Sequence, residues 1–239
     1  VNNYIFTQGE NMATVLITGT SRGIGLEFTK QYAEDGWQVI ACCRAPERSL
    51  ALQSLAKAHA NIRLIALDVA NFAQIDAVAL ALKDTPIDVL INNAGVYPES
   101  SLNDADFQDW SAAFKINSMA PFKMTQAFLP HLVNGNQKKV ATLTSKMGSI
   151  DDNTSGGSYI YRTSKVAVNM VMKSLSIDLA QYKIAVAILH PGWVITDMGG
   201  PNGLIDAKTS VTGLRQQIAQ LSLENSGIFT AYNGQPIAW

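Results

Sequence analysis

The 239-residue sequence predicts an α/β fold, a doubly wound parallel sheet with helices on both faces. Short β-branched runs alternate with longer helical stretches along the chain. A glycine-rich turn, Thr18-Gly19-Thr20-Ser21-Arg22-Gly23-Ile24-Gly25, comes after the first of those runs and opens a helical pattern. No internal repeat or low-complexity linker divides the rest of the chain, so residues 12–239 read as one domain.

Strands are expected at 14–18, 38–42, 62–67, 89–92, 139–143, 184–189 and 227–231, with helices filling the gaps. The first helix begins near Ile24 and stops before Gly36, which suits a C-terminal cap. Pro46 fits the first turn of the second helix. Pro121 and Pro130 predict two helices within 104–132, divided near 118–121, because proline has no amide to continue a helix. A long helix is expected over 159–182. The run Gly199-Gly200-Pro201-Asn202-Gly203 lies beyond the sixth strand and reads as the hinge of a lid. Residues 1–11 are polar and precede Met12, so they read as a disordered or added extension outside the fold.

Composition narrows the partners. The chain is 47% hydrophobic with a formal charge of −1, and its 18 basic residues form no stripe for a nucleic acid or an anionic membrane. A small molecule or a second subunit remains. Cys42 and Cys43 are neighbours in an apolar run, where strand geometry points them to opposite faces, so reduced thiols are expected. No apolar run approaches the roughly 20 residues of a membrane span, and a cytoplasmic location is the expectation. His59, His131 and His190 are too scattered for a metal site.

The turn's spacing, G-x-x-x-G-x-G, brings bare amides and the positive end of a helix against a pyrophosphate. No Lys-Ser or Lys-Thr comes after Gly25, which disfavours a nucleotide triphosphatase. The second strand ends in Cys42-Cys43-Arg44 and lacks the acid that binds an adenosine ribose 2'-hydroxyl. Arg44 there and Arg22 within the turn are placed for a 2'-phosphate instead. One charged hydrogen bond of about 1.5–3 kcal/mol favours NADP(H) over NAD(H) by roughly tenfold or more.

Tyr161 and Lys165 stand four apart and share a helix face. A free phenol titrates near 10, too high for neutral acid-base work. An ammonium about 4 Å away supplies roughly 4 kcal/mol at an effective dielectric near 20, enough to draw the phenol toward the neutral range before desolvation opposes it. Ser145 lies just past the fifth strand, at the carboxyl edge where parallel sheets bind ligands. Its hydroxyl is suited to hold a carbonyl oxygen while Tyr161 gives the proton. No Gly-x-Ser-x-Gly elbow surrounds it, against a hydrolase nucleophile. Tyr97, Met147, Ile150, Trp193 and Met198 form a candidate apolar substrate pocket.

Taken in order, the glycine turn, Asn92-Asn93-Ala94-Gly95, Asn117, Ser145, Tyr161-x-x-x-Lys165 and Pro191-Gly192 with Thr196 resemble the short-chain dehydrogenase/reductase family. The resemblance implies a Rossmann-type sheet of about seven strands in the order 3-2-1-4-5-6-7, acting on a carbonyl or alcohol. It implies Tyr161 as proton donor or acceptor, Ser145 as substrate anchor, Lys165 on the nicotinamide ribose and Asn117 in a water-linked relay. It further implies that Gly19, Ser21, Arg22, Gly23, Ile24 and Gly25 hold the pyrophosphate end, with Asp68 and Val69 flanking the adenine. Asn93, Ala94 and Gly95 line the cofactor cleft, Pro191 and Gly192 also bind the cofactor, and Val194 and Thr196 approach the carboxamide. A homodimer or homotetramer is also implied. The long Ser145 to Tyr161 interval and the ending Tyr232-Asn233-Gly234-Gln235-Pro236-Ile237-Ala238-Trp239 are similar to the sniffer and C-factor branch of carbonyl reductases, which includes proteins named for signalling. That branch leaves a catalytically weak signalling protein as an alternative, with an epimerase or dehydratase as another.

Overall fold

A computed structural model describes residues 12–239, so the expected extension lies outside the described residues. Seven strands, β1 (Thr14–Thr18), β2 (Gln38–Cys43), β3 (Ile62–Ala66), β4 (Val89–Asn92), β5 (Lys139–Leu143), β6 (Ala185–His190) and β7 (Phe229–Ala231), form one sheet. All pairs are parallel and the order is β3-β2-β1-β4-β5-β6-β7, as the resemblance implied. The central strands are apolar on both faces because both faces are covered. Ile40, Leu90, Val140 and Ile188 pack on one side with Ile75, Met124, Val168 and Met172, while Val15, Ile17, Val39 and Ala141 pack on the other with Phe28, Val211 and Leu214.

The helices are α1 (Gly23–Glu34), α2 (Leu50–Ala58), α3 (Phe72–Ala81), α4 (Phe107–Phe114), α5 (Ala120–Ala127), α6 (Leu129–Asn134), α7 (Tyr159–Asp178) and α8 (Ala207–Gln220). Asn71, Asp106 and Asp206 cap α3, α4 and α8, each accepting from an amide of the first turn. Two expectations near prolines are corrected. Pro46 opens only a 3-10 turn, Pro46–Arg48; α2 starts at Leu50, after Ser49 adopts extended backbone and donates its hydroxyl to the Ser21 carbonyl at 2.8 Å. The chain is not divided near 118–121 either. A π turn, Lys115–Met119, joins α4 to α5, and the break falls at Phe128, before Pro130. Pro121 has no amide for the carbonyl four residues back, that of Asn117, and one wider turn absorbs the missing bond.

Candidate active site

A cleft of about 440 Å³ runs along the carboxyl edge of the sheet. One end of it is the glycine turn between β1 and α1. Gly19 has φ +72°, and a Cβ added to it would stand 2.8 Å from the Ala94 Cα; one on Gly25 would stand 2.2 Å from the Gly19 carbonyl oxygen. Only glycine lets the strands and the turn approach this closely. Thr18 and Asn93 brace the turn from inside. The Thr18 hydroxyl accepts from the Asn93 and Ala94 amides at 3.0 and 3.1 Å, and the Asn93 side chain donates to the Thr18 and Gly19 carbonyls at 2.8 and 3.1 Å.

Gly19, Ser21, Arg22, Gly23, Ile24, Gly25, Arg44, Asp68, Val69, Asn93, Ala94, Gly95, Tyr161, Lys165, Pro191 and Thr196 all line this cleft. Arg44 is exposed at the end of β2, whereas Arg22 pairs with Asp197 across the cleft mouth at 3.3 Å. Gly192 and Val194 do not line the cleft: Gly192 turns at φ +87° beside Tyr232, and Val194 is buried. Ile195 and Asp197 line it instead. The sequence carried no signal for them, because bridges between Val194 and Ile205 and between Thr196 and Gly200 fold this segment back on itself. The Gly199 to Gly203 run is part of that tied turn, with Gly200 donating to the Thr196 carbonyl at 2.8 Å.

At the chemical end, α7 presents Tyr161 and Lys165, both buried. Ser145 begins the turn after β5, its hydroxyl accepting from the Met147 amide at 3.1 Å. The Lys165 ammonium donates to the Leu143 carbonyl at 3.0 Å and lies 5.6 Å from the centre of the Tyr161 ring. Asn117 lies in the π turn; its amide oxygen accepts from the Val96 amide at 2.9 Å, and its amide nitrogen donates to the Val96 carbonyl and the Ser164 hydroxyl, both at 2.9 Å.

The expected lowering of the phenol does not occur in this chain alone. Burial pushes Tyr161 up to about 12, opposed by the Ser145 hydroxyl beside it and reinforced by Tyr97. Burial also pulls Lys165 down to about 8. Sequence spacing put the two groups on one face but did not reveal that both are desolvated, and the ammonium sits toward the ring and the Leu143 carbonyl.

Of the candidate substrate pocket, Met198 lines the cleft, Tyr97 packs on Tyr161, and half-buried Met147 lies two residues past Ser145. Ile150 and Trp193 stand exposed outside the cleft lining, the Trp193 indole donating to the Gly199 carbonyl at 2.6 Å. Cys42 and Cys43 are free thiols, and Cys43 joins the lining beside Arg44. Among the described residues no cluster of three metal-ligating side chains occurs, and no helix is long and apolar enough to cross a membrane.

Residues 13–204 match the family model described as short chain dehydrogenase. The chain belongs to the short-chain dehydrogenase family. Within it, the chain is 46% identical over 155 residues to the C-signal of Myxococcus xanthus, a match covering 64% of this chain and 93% of that protein. The carbonyl reductase Sniffer of D. melanogaster superposes with a TM-score of 0.90 at 36% identity, covering 96% of this chain and all of the other. An NADPH-bound carbonyl reductase from chicken fatty liver also gives 0.90, at 34% identity over 95% of this chain and 99% of that one. Oxidoreductase membership and the sniffer and C-factor branch are established together. In this short-chain dehydrogenase the glycine turn, Ser145, Tyr161 and Lys165 lie along one edge of the sheet.

Proposed function

We propose that this short-chain dehydrogenase is an NADPH-dependent carbonyl reductase, able to run in reverse as an alcohol dehydrogenase. One observation carries the reading: a buried phenol and ammonium close one end of the cleft whose other end is a glycine turn flanked by guanidinium groups. The glycine turn fits a dinucleotide because Gly19 and Gly25 let it fold tightly against Ala94 and itself, with the bare amides that open α1 available to a pyrophosphate. Arg44, with no acid at the end of β2, would hold a 2'-phosphate. Asp68 and Val69 would flank the adenine, and Thr196 would border the carboxamide, with Pro191 beside it in the cleft lining. NADPH supplies the hydride when bound.

The protein supplies the rest. Ser145 would hold the carbonyl oxygen, where negative charge develops, and Tyr161 would donate its proton to that oxygen. A phenol held near 12 is fully protonated at neutral pH, the state that reduction requires. Lys165 would hold the ribose and keep a positive charge beneath the ring, with Asn117 anchoring a water relay. The relatives named as carbonyl reductases support this substrate class, and residues 12–239 would work as one unit, as a cytoplasmic homodimer or homotetramer.

Likeness to the C-signal favours a second reading, an NADP-binding signalling protein with little turnover. NADPH oxidation monitored against a carbonyl panel, with Tyr161→Phe as control, separates them. Tyr161→Phe should bind NADPH normally and lose about 10²–10⁴-fold in turnover. Unchanged turnover removes Tyr161 from the mechanism. Binding without turnover on any carbonyl supports the signalling reading, and product without net NADPH oxidation points to an epimerase or dehydratase.

A further inference from the structure

The catalytic helix starts in an unusual way. Ser158 occupies the position before α7 in left-handed backbone, φ 47° and ψ 41°, directly after Gly156 and Gly157, which are left-handed too. A residue with a Cβ is disfavoured there, and the Ser158 hydroxyl caps none of its own helix's amides. Two residues of the loop between β4 and α4 provide the support. The Ser100 carbonyl accepts from the Ser158 amide at 2.9 Å, and the Ser100 hydroxyl accepts from the Ile160 amide at 3.0 Å, so the cap comes from a distant segment. The Tyr97 and Ser158 hydroxyls lie 2.8 Å apart. The Tyr97 ring then rests against Tyr161, centroids 4.4 Å apart and planes inclined by 52°.

We propose that Tyr97 is a positioning residue for proton transfer: its bond to Ser158 and its contact with the Tyr161 ring fix the entry of α7 and hence the aim of the Tyr161 phenol. This rests on the reading of Tyr161 as proton donor. Tyr161 is three residues past Ser158, within one helical turn, so any change in the helix entry is passed directly to the phenol. An error of about 1 Å in a reacting group can cost on the order of a hundredfold in rate. The Ser145 hydroxyl also lies beside the phenol that this contact holds.

Two substitutions separate positioning from folding. Tyr97→Phe keeps the ring and removes the hydroxyl. Ser158→Gly removes the partner hydroxyl while relieving the left-handed backbone, so its melting temperature should stay at or above that of the parent protein. Each should lower kcat by about three- to tenfold with unchanged NADPH affinity, and the double variant should fall no further than either single one. Amide hydrogen exchange at Ile160, Tyr161 and Arg162 should quicken in both, while exchange within α1 stays the same. Unchanged exchange at those three amides overturns the proposal whether or not any carbonyl is turned over, and so does an unchanged kcat. Wild-type turnover in Tyr161→Phe is a different failure, that of the proton donor itself.

Discussion

Around the glycine turn the cleft is shaped by backbone, whereas around Tyr161 it is shaped by side chains that arrive from four segments: the loop after β4, the π turn, the turn after β5, and α7. At the first end, a methyl group added to Gly19 or Gly25 has nowhere to go, since it would stand 2.8 Å from the Ala94 Cα or 2.2 Å from the Gly19 carbonyl oxygen. At the second, removing one functional group should leave the shape and take away only the chemistry. The two ends should therefore fail differently when mutated.

Gly25→Ala should produce the largest effect on cofactor binding. Its Cβ would meet the Gly19 carbonyl oxygen at 2.2 Å, so the turn must open. NADPH affinity, measured by fluorescence titration, should fall by about a hundredfold or more. Retained affinity would mean that the turn is not the phosphate site. Ser145→Ala should do the reverse, lowering kcat by about a hundredfold while leaving NADPH affinity unchanged, because it removes one donor to the developing oxyanion.

A smaller effect is expected from pH. Lys165 is charged below its lowered value of about 8 and neutral above it, so reduction should slow as pH rises through that range. The loss should reach roughly tenfold between pH about 7 and about 9. A flat profile over that interval would remove the ammonium from the chemical end.

The backbone-shaped end is the more legible in the sequence. β1, β4 and β5 match the expected bounds, and β2, β3 and β6 differ by a residue at one or both ends, because buried parallel strands are continuous apolar runs closed by turn residues. Gly19, Gly23 and Gly25 are readable as a turn since positive φ at Gly19 and Gly23 and the folding of Gly25 back on Gly19 are local requirements, although Gly19 also meets distant Ala94. At the chemical end, the i, i+4 rule puts Tyr161 and Lys165 on one face, but the direction in which Tyr161 shifts depends on burial by distant elements. Ser100 and Ser158 carry no sequence signal because they are 58 positions apart and meet only through the fold. Pro46 and Pro121 look like local punctuation, yet Ser49 and the π turn decide what the chain does beside them.

At the glycine-turn end, the two arginines are not equivalent, and this gives the smallest effect. Arg44 makes no ion pair among the described residues and faces the cleft, so it is free for a 2'-phosphate. Arg22 is already engaged by Asp197 at 3.3 Å, with both side chains more than 70% exposed, and any phosphate must compete with that carboxylate. Arg44→Ala should therefore reduce the ratio of NADPH to NADH affinity by about tenfold, whereas Arg22→Ala should change it by less than about threefold, as exposed ion pairs contribute little. Titrating both variants with both cofactors decides the matter. If Arg22→Ala changes the ratio as much as Arg44→Ala does, the glycine turn itself reads the phosphate and the Asp197 pair gives way when the cofactor enters.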